Sequence, residues 1–583
     1  MKQIFRTQIF FLFSLFIEGL VFSQPALKIV QPYENANLMY VTQSFVFGSV
    51  SPATATLFIN GTSVVPYTNG GFLTMIPFQE GRFKIEAVAS DGVSISTVTR
   101  FVNVAEATRP FPQNSSEIQV ISPPNRIVLR GEDILNVACK GAPQGTAFFK
   151  FKEKGGHYPM VEVSPGLYRG VYKIQPEDNF DYDDVIFFLR RADGRKISKR
   201  AKAEIVVQKR RTPRFVELSE DATLLTGPGS EYGYNLFLLK GVRLEVTGEY
   251  GDYVRVDLDS GNTGWLARST LRELPPGTPP AKSVSRNIRI QTTEGSTVLE
   301  LPLSYVHAHR VDEFVNPYRM ELTLFGVVAD TDRIHFIAKD SIIKEIYWKQ
   351  FLPESFTLVI ITDQSYPWGY EVRYEGTKLI LELRHRPRWE HSKTAPLRGL
   401  KIAVDAGHST GSYGTIGPLG NTEASVNLLV AKAVEERLKN LGASVVMTQD
   451  GTKDPFSLQS RIDLAWKEKA NIFVSIHSDA CAEGENPREV EGFSVHYYNV
   501  GGELLGEILR DDYGKKSGIR DQGLWRSNLA VCRATTMPSI LFEQGFLILP
   551  EFEERFLKKD HQQMVAHVVG ESIVEFMKRT QSK

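Results

Sequence analysis

Cysteine is scarce: Cys139, Cys481 and Cys532 are the only three in 583 residues. That excludes a disulfide scaffold. The sequence leaves open whether Cys481 and Cys532 pair, with two separate buried thiols as the simpler reading. An excess of either charge is also lacking. Lys+Arg and Asp+Glu both number 68, giving a formal net charge of zero. The whole-chain charge therefore points to neither nucleic acid nor an anionic membrane as a partner. Beyond the N-terminus, long apolar runs are missing too. The early run Ile9–Ile17 follows Lys2 and Arg6, is broken by Glu18, and leads to Val21-Phe22-Ser23. It reads as a secretory signal peptide over residues 1–23, too short to favour a membrane anchor. The chain is then expected to be exported, with no membrane span after cleavage.

What remains is long enough for roughly three to five domains. Residues 25–107 alternate as short strands at Ser44–Val50, Thr56–Ile59, Phe72–Ile76, Phe83–Ala89 and Ser94–Val104. Turn signals such as Asn60-Gly61 and Asp91-Gly92 separate them, as in an immunoglobulin-like β-sandwich. Thr108–Ser116 is a linker by composition, and residues 117–208 repeat the pattern as a second sandwich. Residues 213–275 hold a Gly227-Pro228-Gly229 turn, Gly251-Asp252-Tyr253-Val254-Arg255-Val256 and Gly264-Trp265. This stretch resembles the small bacterial Src-homology-3-like barrel. A Pro-rich linker, Leu274–Lys282, precedes a further β-rich region over 284–388.

From Leu400 strands alternate with helices. Strands are expected at 401–404, 444–447, 472–476, 493–497 and 540–542. Helices are expected at 425–440, 458–470, 503–513 and 561–578. The fold class is thus multidomain: several all-β domains, then an α/β domain over 398–583 with a mostly parallel sheet covered by helices.

Three apolar runs in this last region end in polar residues that can do chemistry. Lys401–His408 (KIAVDAGH) ends in His408, Phe473–Ala480 (FVSIHSDA) carries His477, and Ile540–Leu547 (ILFEQGFL) carries Glu543. Glycines 411, 414, 417 and 420 lead from His408 to Glu423, which opens a helix. Two histidines and a carboxylate suit zinc. A lone strand-end histidine is more often structural, and a lone buried glutamate is costly unless paired or used. Their order and company give them meaning.

Residues 400–580 resemble the zinc-dependent N-acetylmuramoyl-L-alanine amidases of the type-3 family. The matching pieces are Val404–His408, the Gly-rich stretch to Glu423, Leu458–Ala465, Ser475–Ala480, Glu491-Gly492-Phe493 and Glu543–Leu547. Ser409 and Ala424 depart from the family pattern without removing a ligand. The resemblance implies His408, Glu423 and His477 as ligands of Zn2+ and Glu543 as the catalytic carboxylate. It implies a secreted peptidoglycan hydrolase that cuts the amide between N-acetylmuramic acid and L-alanine by zinc-activated water. Region 284–388 occupies the place of the β-rich domains that localise some wall amidases, so wall or activator binding falls to the upstream β-domains. A non-catalytic peptidoglycan receptor and a zinc peptidase cutting within the stem peptide are the alternatives. Arg461 is set aside as a helix-surface or packing residue.

Overall fold

Strand β1, Lys401–Ala406, is buried along almost its whole length, so it carries a continuous apolar run instead of an alternating one. It pairs in parallel with β2 (Ser444–Met447) and β3 (Ile472–Asp479). Strand β3 pairs in parallel with β6 (Ser539–Phe546). The one reversal is β4 (Phe493–Tyr497), antiparallel to β6 and parallel to the edge strand β5 (Asp521–Arg526). The six-stranded order is β2-β1-β3-β6-β4-β5. In this computed structural model the described residues are 24–581 except 108, 124–125, 179–182, 208–212, 260, 316, 338–340 and 452–456. The expected signal peptide lies outside them.

Helices cover both faces of the sheet unequally. Helix α1 (Glu423–Asn440) begins at Thr422, whose side chain accepts from Ser425 N. Its buried Val426, Val430, Val434 and Leu438 recur at helical spacing and face the sheet. With α4 (Val500–Ser517) and α6 (Lys559–Arg579) it closes a core that includes Ile402, Val404, Val474, Ile476, Ile540 and Phe542. The opposite face is covered by α2 (Leu458–Lys467) and the segment around Val531–Arg533, through Ala465, Phe473, Cys532 and Leu541. Between α2 and α4 lies the short α3 (Pro487–Val490), and α5 (Pro550–Leu557) precedes α6. All three cysteines are free thiols.

Upstream of the α/β layer the described residues form β-sheets. A three-stranded sheet (Ala26–Gln31, Gln43–Ser51, Gly71–Pro77) faces a five-stranded one around Ile29, Val46, Phe72 and Ile85. A seven-stranded sheet follows. The strands Ile127–Leu129 and Ile205–Val207 leave it and join a nine-stranded sheet with the strands of residues 214–273. Sheets of five and four strands then pack around Leu299, Met320, Phe356 and Leu381. Among the described residues no helix is long and apolar enough to cross a membrane.

Two of these units rest on the α/β layer. Strand Gln43–Ser51 alternates, so Val46 points into its own sandwich while Phe45 and Phe47 point out. With Val30, Leu73 and Met75 they pack on Ile416, Ala480, Phe546, Ile548, Leu549 and Phe552. Asn69 Nδ2 donates to Pro550 O at 2.9 Å across this seam. Near the other end of the layer, Arg384 donates to Ala470 O at 2.6 Å and Thr536 O at 3.0 Å. Tyr366 and Trp368 set their rings edge-on to Phe576.

Phe47 is 2% exposed and belongs to the apolar cluster that spans the seam. Phe47→Ala should destabilise the protein by about 3 kcal/mol, read as a lower denaturant midpoint. An unchanged midpoint would show that the seam does not form.

Candidate metal centre

The site begins with a buried charge. Asp405, near the end of β1, is 1% exposed and accepts from Thr448 Oγ1, from Ser475 Oγ at 2.6 Å and from Arg461 Nη1 at 2.9 Å. Arg461 is 3% exposed and also donates to Ala406 O and His408 O, at 2.9 and 3.1 Å. Gln449 Nε2 reaches the same two carbonyls at 2.9 and 3.1 Å. These donors hold the turn that leaves β1. His408 adopts φ +62° there, a left-handed conformation that costs a non-glycine residue energy and persists because its surroundings enforce it. Gly407 is required for a different reason: a Cβ would stand 2.3 Å from the His477 ring.

The turn brings His408 towards two other elements. Glu423 is the first residue of α1, and His477 lies near the end of β3. His408 Nε2 is 3.2 Å from Glu423 Oε2, and His477 Nδ1 is 3.1 Å from Glu423 Oε1. One potential ligand atom from each residue lies within 4.8 Å of the others. The carboxylate is further held by Thr415 N on Oε2 and Ser478 N on Oε1, both at 3.1 Å. Gly414, at φ +69°, lets the loop pass close over it: a Cβ there would lie 2.3 Å from Oε2.

Burial works against a charged Glu423, but hydrogen bonds from His408 and His477 overcome it and hold the carboxyl far below the usual range. The same contact with Glu423 raises the His408 imidazolium against its own burial. A helix N-terminus also favours negative charge at this position. Two imidazoles and an ionised carboxylate in one cluster form a donor set for a divalent transition metal. The residues present therefore fit a metal ion.

Glu543 completes the arrangement from β6. It stands in register with His477 on one side and Ser494 on the other. Its Oε2 is buried with no hydrogen-bond partner. Burial, with Asp479 and Glu423 nearby, pushes its carboxyl well above the usual range. Of the four residues named from sequence, His408, Glu423 and His477 cluster, and Glu543 lies on the strand beside His477. Arg461, set aside from sequence as a helix-surface or packing residue, is buried and donates to His408 O. Its signal was faint: Arg461 and Ala465 share one face of an amphipathic helix, and only the fold shows Asp405 opposite.

Residues 402–575 match the family described as N-acetylmuramoyl-L-alanine amidase. The chain is similar to the probable cell wall amidase LytH of Staphylococcus epidermidis, 28% identical over 183 residues, 31% of this chain. That stretch spans 60% of the LytH protein's length. It is likewise 28% identical over 183 residues to the N-acetylmuramoyl-L-alanine amidase LytC of Bacillus subtilis, covering 36% of that protein. Among solved structures, the amidase AmiC2 of Nostoc punctiforme is 30% identical, covering 31% of this chain and 98% of that one, with a TM-score of 0.29. The C-terminal third is therefore an N-acetylmuramoyl-L-alanine amidase domain, preceded by a β-rich region of unidentified type.

Glu543 makes stability depend on pH. Its folded carboxyl titrates above the ordinary value of about 4.3. Its contribution is full below that value and is lost as pH rises through the folded one. In metal-free protein, Glu543→Gln should therefore be more stable than wild type at about pH 7, with the difference closing towards about pH 4. Denaturant unfolding at both pH values checks this; equal stability at the higher pH would contradict it.

Proposed function

We propose that this protein is an exported peptidoglycan hydrolase that cleaves the amide between N-acetylmuramic acid and the L-alanine of the stem peptide. The observation that carries the reading is the cluster of His408, Glu423 and His477 beside Glu543, within a domain matching the amidase family. In this reading the three clustered residues hold one zinc ion. When bound, zinc supplies a Lewis acid that polarises the scissile carbonyl and makes water acidic enough to attack near neutral pH.

The chain's own residues do the rest. Asp405, Arg461 and Gln449 hold the His408 turn so that its ring meets Glu423. Glu543 takes a proton from the attacking water and returns it to the amine that leaves. Its unpartnered Oε2 and raised affinity for a proton suit both halves of that exchange. An oxygen left without a partner is free to carry that proton, which favours catalysis over a receptor role.

The upstream regions 25–107, 117–208, 213–275 and 284–388 serve, in this account, to bring the site to the wall or to an activator. Their immunoglobulin-like and Src-homology-3-like assignments belong to the same proposal. So does export through the N-terminal leader.

Full-length protein should digest purified peptidoglycan, stop when a chelator removes the metal, and resume when zinc returns. Glu543→Gln should keep zinc yet lose about 10²- to 10⁴-fold in rate. Digestion that survives complete metal removal would overturn the zinc assignment, and a fully active Glu543→Gln would overturn the role of Glu543.

A further inference from the structure

A chain of buried polar side chains runs from the surface side of the helical layer to Glu423. It starts at Arg555 in α5, whose Nη2 donates to Ser517 O at 2.6 Å and whose Nε lies 3.2 Å from His561 Nδ1. Arginine has only donors, so Nδ1 accepts and the imidazole proton sits on Nε2. His561 Nε2 then donates to Gln544 Oε1 at 2.9 Å. Gln544 Nε2 donates to Ser478 Oγ at 2.9 Å, and Ser478 Oγ donates to Asn427 Oδ1 at 2.9 Å. Asn427 Nδ2 ends the chain on Glu423 Oε1 at 3.2 Å, with Gly407 O at 3.3 Å as its second acceptor. Every bond points the same way, from a permanent cation towards a carboxylate, so each polarises the next.

The links come from four elements: α6 supplies His561, β6 Gln544, β3 Ser478 and α1 Asn427. They are Glu423's neighbours by construction. Asn427 is one helical turn after Glu423, and Ser478 and Gln544 directly follow His477 and Glu543 along their strands. Alternation along a strand turns Ser478 and Gln544 away from their site neighbours and towards α1 and α6. Asn427 and Gln544 are fully buried, Ser478 almost so, and His561 is 5% exposed. Burial, with Arg555 alongside, pushes the imidazolium form of His561 down to about 3, so the ring is neutral and its tautomer set. Around the chain the core is Val426, Val430, Phe542, Phe556 and Val565. Apolar residues would fill that space without needing partners, so stability alone does not call for a polar thread.

We propose that Gln544 and His561 are positioning residues for the metal, acting through Ser478 and Asn427 to fix the Oε1 side of the Glu423 carboxylate. Outer partners of this kind orient a ligand and tune its basicity. The proposal rests on the reading of His408, Glu423 and His477 as metal ligands. It extends the functional unit to α6, a helix that contributes no residue to the cluster itself.

The test uses full-length protein stripped of metal and titrated with zinc in competition with a chelating dye. Gln544→Leu and His561→Leu should each weaken zinc binding about 10- to 100-fold. His561→Gln, which keeps a donor for Gln544, should restore affinity to within a few-fold of wild type. Thermal unfolding of the metal-free variants separates the two effects, since a purely structural role would lower stability and leave the affinity of the folded protein unchanged. Should the leucine variants fail to fold, Ser478→Ala removes a single hydroxyl and should weaken zinc binding in the same assay. Wild-type affinity in the folded variants would overturn the proposal. So would an equal loss in His561→Leu and His561→Gln, which would trace the effect to packing. Wild-type protein that binds no zinc would instead remove the ligand reading on which the proposal rests.

Discussion

Everything around the site answers to one constraint: the Glu423 carboxylate is buried and must stay ionised. Removing such a charge from water costs several kcal/mol unless hydrogen bonds and opposite charge replace the lost hydration. The fold supplies both. Two imidazoles, two backbone N–H groups and the Asn427 amide surround the two oxygens. They come from three separate parts of the chain, so Glu423 ties the loop after β1, the start of α1 and the end of β3 into one place. A metal ion bound by the same cluster would add positive charge where the negative charge is held.

The same demand explains the buried Asp405–Arg461 pair. Its hydrogen bonds run to the main chain of Ala406 and His408. It thereby maintains a left-handed histidine at the tip of β1. The seam with the N-terminal sandwich acts on the other side. Ile416 lies in the loop leading to Glu423, Ala480 follows the His477 strand end, and Phe546 follows Glu543; all three rest on it. A β-domain far away in sequence thus backs the segments that carry the site.

Local pattern revealed most of the α/β layer. His408, His477 and Glu543 stood out because short apolar runs ended in polar residues, and Glu423 because it opened an amphipathic helix. Strand β5 was missed: Asp521–Arg526 is an edge strand without clean alternation, and Gly523 sits at φ +111° within it. Helix α4 starts earlier than its periodicity suggests because Gly501 and Gly502 mask its first turn. Helix α2 ends at Lys467, not Ala470, where Lys469 turns to φ +59°. Helix α1 starts at Glu423, two residues before its apolar stripe, because the Thr422 cap sets the start. Polar partnerships were illegible for a different reason. Arg461 meets Asp405 across 56 residues, and Asn427 meets Ser478 across 51. No periodicity encodes such pairs; they exist only once the sheet order is set.

The central claim concerns which bond is cut, and the masses of the released products test it most directly. Peptidoglycan digested by the full-length protein should yield stem peptides with a free L-alanine amino group and glycan strands whose muramic acid carries a free lactyl carboxyl. Products cut within the stem peptide, or no products from zinc-loaded protein, would contradict the account.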